Sequence, residues 1–107
     1  MGLRERILDA PDLKYRDVEI PEWNATVRIR EMSAAVRIEY QEAIGEGAYL
    51  DSVARIVVLC AEDPETGDEI FTMEDVEALK DKSLAALQRL ASAALEVNAL
   101  RGDARGN

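Results

Sequence analysis

The chain has 107 residues, enough for one compact domain and too few for a large catalytic barrel or a two-domain enzyme. Its 22 acids against 13 bases give a net charge of −9, which opposes phosphate backbones and anionic lipid, so neither nucleic acid nor a membrane is expected as a partner. No histidine and a single cysteine remove a histidine general base, a multi-cysteine zinc site and an internal disulfide, while 48% apolar residues and only 3 Pro still allow a buried core.

The first residues, Met1 to Lys14, scatter Arg4, Glu5, Arg6 and Asp9 through a short amphipathic stretch. That stretch lacks the uninterrupted apolar segment of a signal peptide, so the chain is expected to stay in the cytoplasm. Gly2 fails the myristoylation pattern because Arg6 stands where Ser or Thr is needed. The sequon Asn24-Ala25-Thr26 has no meaning without secretion. The longest apolar run, Ile56 to Ala61, is too short to span a bilayer.

From Lys14 to Arg30 the apolar period is two. Val18 and Ile20 alternate with Asp17 and Glu19, and Ala25, Val27 and Ile29 alternate with Thr26, Arg28 and Arg30. Pro21-Glu22-Trp23-Asn24 supplies a reversal, since Pro fixes φ at the first bend and Asn tolerates the left-handed region. This predicts a β-hairpin with Asp17 and Glu19 facing Arg28 and Arg30 on its polar side.

After Arg30 the period becomes helical. Ser33 caps a helix over Ala34 to Ile44, which Gly45 and Gly47 end. From Ala48 to Ala61, Leu50, Val53, Ala54, Val57, Val58 and Ala61 form an apolar stripe that Ile56, Leu59 and Cys60 widen nearly all round, marking a central buried helix. Asp51 and Arg55 mark its narrow solvent side. Glu62 to Glu69 carries no apolar residue and is punctuated by Pro64 and Gly67, so it reads as a surface turn.

Thr72-Met73-Glu74-Asp75 has a capping hydroxyl with an acid three residues on, and Phe71 and Val76 are spaced as a hydrophobic staple, so a short helix starts at Met73. Ser83 then caps a last helix from Leu84 to about Leu100, ended by Gly102. On that helix Leu87, Leu90, Ala91, Ala94 and Val97 share one stripe, whereas Leu84 and Leu95 lie towards other sides. Its apolar surface therefore exceeds one contact, and Leu84 and Leu95 are candidate protein-binding residues. The tail from Arg101 to Asn107 is small and polar and is expected to be disordered, leaving one domain over residues 1–100.

Sites for chemistry are sparse. Counting back from Gly67, the acidic loop would have to offer Glu62, Pro64 and Thr66 as the first calcium ligands and Met73 as the twelfth, which fails the EF-hand pattern. Its Pro64-Glu65-Thr66-Gly67 also fails as a cell-wall sorting signal, because Asp63 replaces the leucine. Cys60 lies in the most apolar helix with no histidine to activate it and reads as a small buried hydrophobe. Gly45-Glu46-Gly47 lacks the third glycine or the lysine of a phosphate loop. No catalytic residue, metal or cofactor is expected. Trp23, a tryptophan at a turn, reads either as packing over the base of the hairpin or as a binding anchor, and it joins the candidates.

The order of these motifs carries a resemblance. Val18-Glu19-Ile20-Pro21-Glu22-Trp23 followed by Val27-Arg28-Ile29-Arg30-Glu31-Met32-Ser33, then Ala54 to Ala61, the turn through Gly67, Ile70-Phe71-Thr72 with Asp75-Val76, and Lys82-Ser83 leading into Ala86 to Leu90 and Ala94 to Asn98 resembles the small tail assembly chaperones of long-tailed bacteriophages. The likeness covers about Val18 to Leu100. With the periodicity it implies an α+β fold, mainly α, with an N-terminal β-hairpin packed on a bundle of about four helices. It further implies a non-catalytic protein of the bacterial host cytoplasm that binds the tape measure protein, keeps it soluble and is absent from the mature virion. A homo-oligomer is expected. In many members of that family a frameshifted longer form recruits tail tube protein; with its sequence running to Arg101–Asn107, this chain is not expected to do so itself. Two other classes fit less well: a virion structural protein such as a head-to-tail connector or tail terminator, and an acidic mimic of nucleic acid, which would need its charge gathered on one surface.

Overall fold

The computed structural model describes residues 2–43 and 49–99. Elements run α1 (Leu3–Asp9), β1 (Tyr15–Ile20), β2 (Ala25–Arg30), α2 (Ala34–Ala43), α3 (Tyr49–Cys60), β3 (Ala61–Glu62), α4 (Val76–Leu79) and α5 (Leu84–Val97). The architecture is α+β and mainly α, with the hairpin near the N-terminus as expected. Gly45 and Gly47, expected to break the chain between two helices, and the helix ends expected at Ile44 and Ala48 lie outside the described residues, as do Leu100, Gly102 and the tail.

The hairpin pairs Val18 with Val27 and Asp17 with Arg28. Pro21–Trp23 form a single 3-10 turn, and Asn24 closes it in the left-handed region at φ 52°, which its short polar side chain tolerates. Val18, Ile20, Val27 and Ile29 are buried on one face of the hairpin, as alternation requires.

A third strand corrects the sequence reading. The apolar pattern puts Ala61 in the central helix and Glu62 in a loop, yet α3 stops at Cys60 and Ala61–Glu62 pair antiparallel with Ile29 and Arg28, making a sheet ordered β1-β2-β3. The reason is tertiary. The Glu62 carboxylate takes the Arg30 guanidinium at 2.7 Å, and Ala61 is buried against the sheet. Arg30 is therefore spent on Glu62 and not on Glu19, whose strand partner is Thr26; the Asp17–Arg28 half of the expected pairing holds at 2.7 Å.

Local signals at the helix starts are met. Ser33 Oγ accepts from Val36 N and Ser83 Oγ from Ala86 N. Thr72 and Asp75 form the expected capping box, although the first turn, Met73–Asp75, is 3-10 before α4 begins at Val76. In the turn after Glu62, the Asp63 carboxylate accepts from Glu65 N and Thr66 Oγ1 from Asp68 N, while Gly67 takes φ 79°. α5 packs across α3 and the sheet, and its last turn ends at Val97, short of Leu100. The deepest side chains are Ile20, Ile29, Ile56, Val57, Leu87 and Leu90, so α3 lies at the centre as read.

A second element, α1, also escapes the sequence reading. α1 forms a complete short helix with no buried residue, and Leu3, Ile7 and Leu8 are all more than 60% exposed.

Candidate protein-binding surfaces

Two concave apolar surfaces follow from this packing. The first is an open groove of about 420 Å³ between α3 and α5, closed at one side by α2. Val53 and Ile56 of α3, Tyr40 of α2 and Leu95 of α5 supply its apolar lining. Tyr49 stands at its mouth, 67% exposed, with its hydroxyl accepting from Gln88 Nε2 at 3.4 Å. Burial raises the Tyr40 hydroxyl above its ordinary pKa, so it stays neutral there. Arg89 on the rim is matched by Glu22 in a two-bond contact of 2.9 and 3.1 Å, which holds the Glu22 carboxylate down at about 2. The rim charge is thereby matched, and Ser52, Gln88 and Ser92 add uncharged polar groups to the apolar lining.

The second surface surrounds Trp23. Its ring is half-buried against the core, and with Phe71 it separates two shallow clefts, one shared with Leu79 and Lys82, the other floored by Val27 and Ile70 and edged by Asp63 and Glu65. Trp23 thus packs at the hairpin turn while part of its ring lines the clefts. The acids along one edge would favour a basic group beside an apolar anchor.

The three candidate residues do not form one site. Leu95 is partly buried and lines the groove, Leu84 is 50% exposed at the first residue of α5, and Trp23 lies at the separate clefts. Tyr40, Tyr49 and the exposed face of α1 were missed. For α1 a signal existed in the i, i+4 pair Leu3 and Ile7, whereas the tyrosines become a groove only when three helices meet.

Chemistry has little purchase on these surfaces. Among the described residues no group of three or more Cys, Asp or Glu is arranged to hold a metal ion. Cys60 is buried, its thiol pushed up to about 11 by desolvation, and it accepts from Asn98 Nδ2 at 3.6 Å. Among the described residues no helix is long and apolar enough to cross a membrane. On the sheet's polar face, Arg28 and Arg30 stack at 4.1 and 5.1 Å from the centre of the Tyr15 ring, continuing the ladder of ion pairs there.

No protein-family model matches the chain, and no curated protein matches its sequence. Among solved structures, the tail assembly chaperone of bacteriophage HK97 superposes with a TM-score of 0.66 at 18% identity, over 88% of this chain and 95% of that one. At that identity the likeness speaks for the fold: a sheet begun by an N-terminal hairpin and covered by helices, built as in the HK97 tail assembly chaperone.

Proposed function

We propose that this chain is a non-catalytic tail assembly chaperone that binds the tape measure protein and keeps it soluble while a phage tail is built. The observation that carries the reading is the fold likeness to the HK97 tail assembly chaperone over nearly the whole of both chains. The surfaces described above support it. A long helical client needs a reversible cover for its apolar stripe, and the α3/α5 groove, Leu84 at the start of α5 and the Trp23 clefts offer apolar contact on a body of net charge −9 that keeps a complex in solution. Residues 1–100 act as one such unit. It works in the host cytoplasm, associates with itself and leaves before the virion is complete; recruitment of tube protein belongs to a longer frameshifted form if one is made.

Co-expression with the neighbouring large helical open reading frame, followed by pull-down, tests the proposal. Capture of the tape measure protein and a rise in its soluble fraction are expected. A chain that ignores that protein, or that is stoichiometric in purified virions, overturns the reading and favours a connector or tail terminator.

A further inference from the structure

The clefts at Trp23 open beside the most acidic part of the chain. Residues 62–82, from β3 through α4, hold nine acids against two lysines, a net −7 out of −9 for the whole chain. The same segment carries exposed apolar side chains: Ile70 is 42% and Met73 46% exposed, and Phe71 shares both clefts with Trp23. Pairing within the fold does not remove this charge. Glu62 is taken by Arg30 and Glu77 by Lys80, but among the described residues Glu65, Asp68, Glu69, Glu74 and Asp81 enter no ion pair. Backbone bonds from Asp63 N to Asp68 O and from Gly67 N to Asp63 O fold the acidic turn back on itself, and the bridge between Glu62 and Glu69 closes it next to Ile70. Like charges gathered in this way destabilise a folded chain, and an incoming cation relieves them.

We infer that the Trp23–Phe71 clefts receive a basic amphipathic helix of the client, with an apolar side chain entering between Trp23 and Ile70 and lysines or arginines one turn away meeting the acids of the turn. Asp63 and Glu65 line the same cleft as Ile70 and Phe71, so an anchor and a cation carried three or four positions apart on one helix face reach both at once. Other occupants fit less well. A second copy brings a further net charge of −9, and an acidic mimic of nucleic acid has no use for an apolar centre. The inference rests on the client reading above for whose helix it is, while the surface is open to test without that client.

Trp23 is the chain's one tryptophan and lines the cleft, so its emission reports what enters. The probe is a labelled amphipathic peptide of leucine and lysine, about 18 residues long and free of tryptophan, with a leucine and glutamate twin beside it. Titrated into the full chain, the lysine peptide should bind by anisotropy and shift the Trp23 emission, and the glutamate peptide should do neither. Glu65→Lys with Glu69→Lys, both exposed side chains, should melt like the parent and weaken binding at least about tenfold. Asp9→Lys with Asp12→Lys, the same change of charge at exposed residues outside the segment, should weaken it about twofold at most. Ile70→Ser should remove the binding that survives about 1 M salt, where exposed charges are screened beyond about 3 Å. Emission unmoved by the peptide, equal losses from the two charge reversals, or parent binding that vanishes entirely in salt overturns the inference. So does a Glu65→Lys, Glu69→Lys chain that loses self-association and keeps the peptide, which makes a second copy the occupant. Parent-like capture of the tape measure protein by that chain overturns the inference and leaves the client reading standing, whereas a parent that binds the peptide at Trp23 and ignores the tape measure protein overturns the client reading and leaves the surface standing.

Discussion

Asn98 Oδ1 accepts the backbone N–H of Met32 at 2.8 Å, joining positions 66 residues apart. The same amide donates to Ala94 O at 2.8 Å and to Cys60 Sγ at 3.6 Å, and the Asn98 carbonyl accepts from Arg37 Nη1 at 3.0 Å. A single residue, 2% exposed, thus ties the exit of β2, the ends of α3 and α5, and α2. Asn98→Leu should leave the Met32 N–H buried and unpaired, destabilising the fold by about 2 kcal/mol and lowering the melting temperature by about 10 °C. An unshifted thermal melt would show that the bond contributes nothing net.

Val57 has no exposed surface at the centre of α3, so Val57→Asp should prevent folding, since an unpaired buried carboxylate costs several kcal/mol. Thr72→Ala removes one cap acceptor at the surface and should cost about 1 kcal/mol. Circular dichroism melts should rank the two far apart. Similar melts for Val57→Asp and the parent would contradict the position of α3.

Acid should loosen the join between the hairpin turn and α5. Glu22 ordinarily titrates near 4.5 and is held at about 2 by Arg89 in the fold, so the unfolded chain binds the proton first. The contribution is whole above pH 4.5 and fades as pH falls from 4.5 towards 2. Glu22→Gln should therefore lower stability slightly at neutral pH, with the gap from the parent closing over that window. Because the pair is solvent-exposed, added salt should shrink the same gap. A gap that widens in acid would reverse the sign argued here.

Leu84→Glu places an acid at the first turn of α5, where the helix dipole favours it, and removes an exposed apolar contact. The melt should be unchanged while capture of a tape measure segment falls about tenfold, the size of one lost apolar anchor. Unaltered capture would take Leu84 out of the contact surface.

Calcium should leave the melting temperature where it is. The Glu62 carboxylate is engaged by Arg30 and that of Asp63 by the Glu65 amide, and among the described residues no three carboxylates are arranged to hold a metal ion. A reproducible rise with calcium, read by differential scanning fluorimetry, would identify a binding site in that turn.

The hairpin and the helix caps were legible because their causes are local: period-two alternation, Pro21 and Asn24 at the bend, and the hydroxyls of Ser33, Thr72 and Ser83. β3 was not legible, because Ala61 continues an apolar run that reads as helix until Arg30 draws Glu62 to the sheet. The surfaces were legible only in part. Periodicity put Leu84 and Leu95 off the main stripe, but which neighbour covers each side depends on how α2, α3 and α5 meet, so Leu95 enters the groove and Leu84 does not.

β1 lies at one end of the described sheet, so the outward N–H and C=O groups of this strand could in principle zip to those of another copy. Aligning two β1 strands antiparallel with their apolar faces on the same side sets Asp17 against Asp17 or against Glu19 in the registers of greatest overlap. Like charges meet in either case, and Arg28, already bound to Asp17 within its own sheet, neutralises only one acid per strand. Two carboxylates on one short strand thus steer copies of this chain away from the open-ended sheet stacking that ends in fibres.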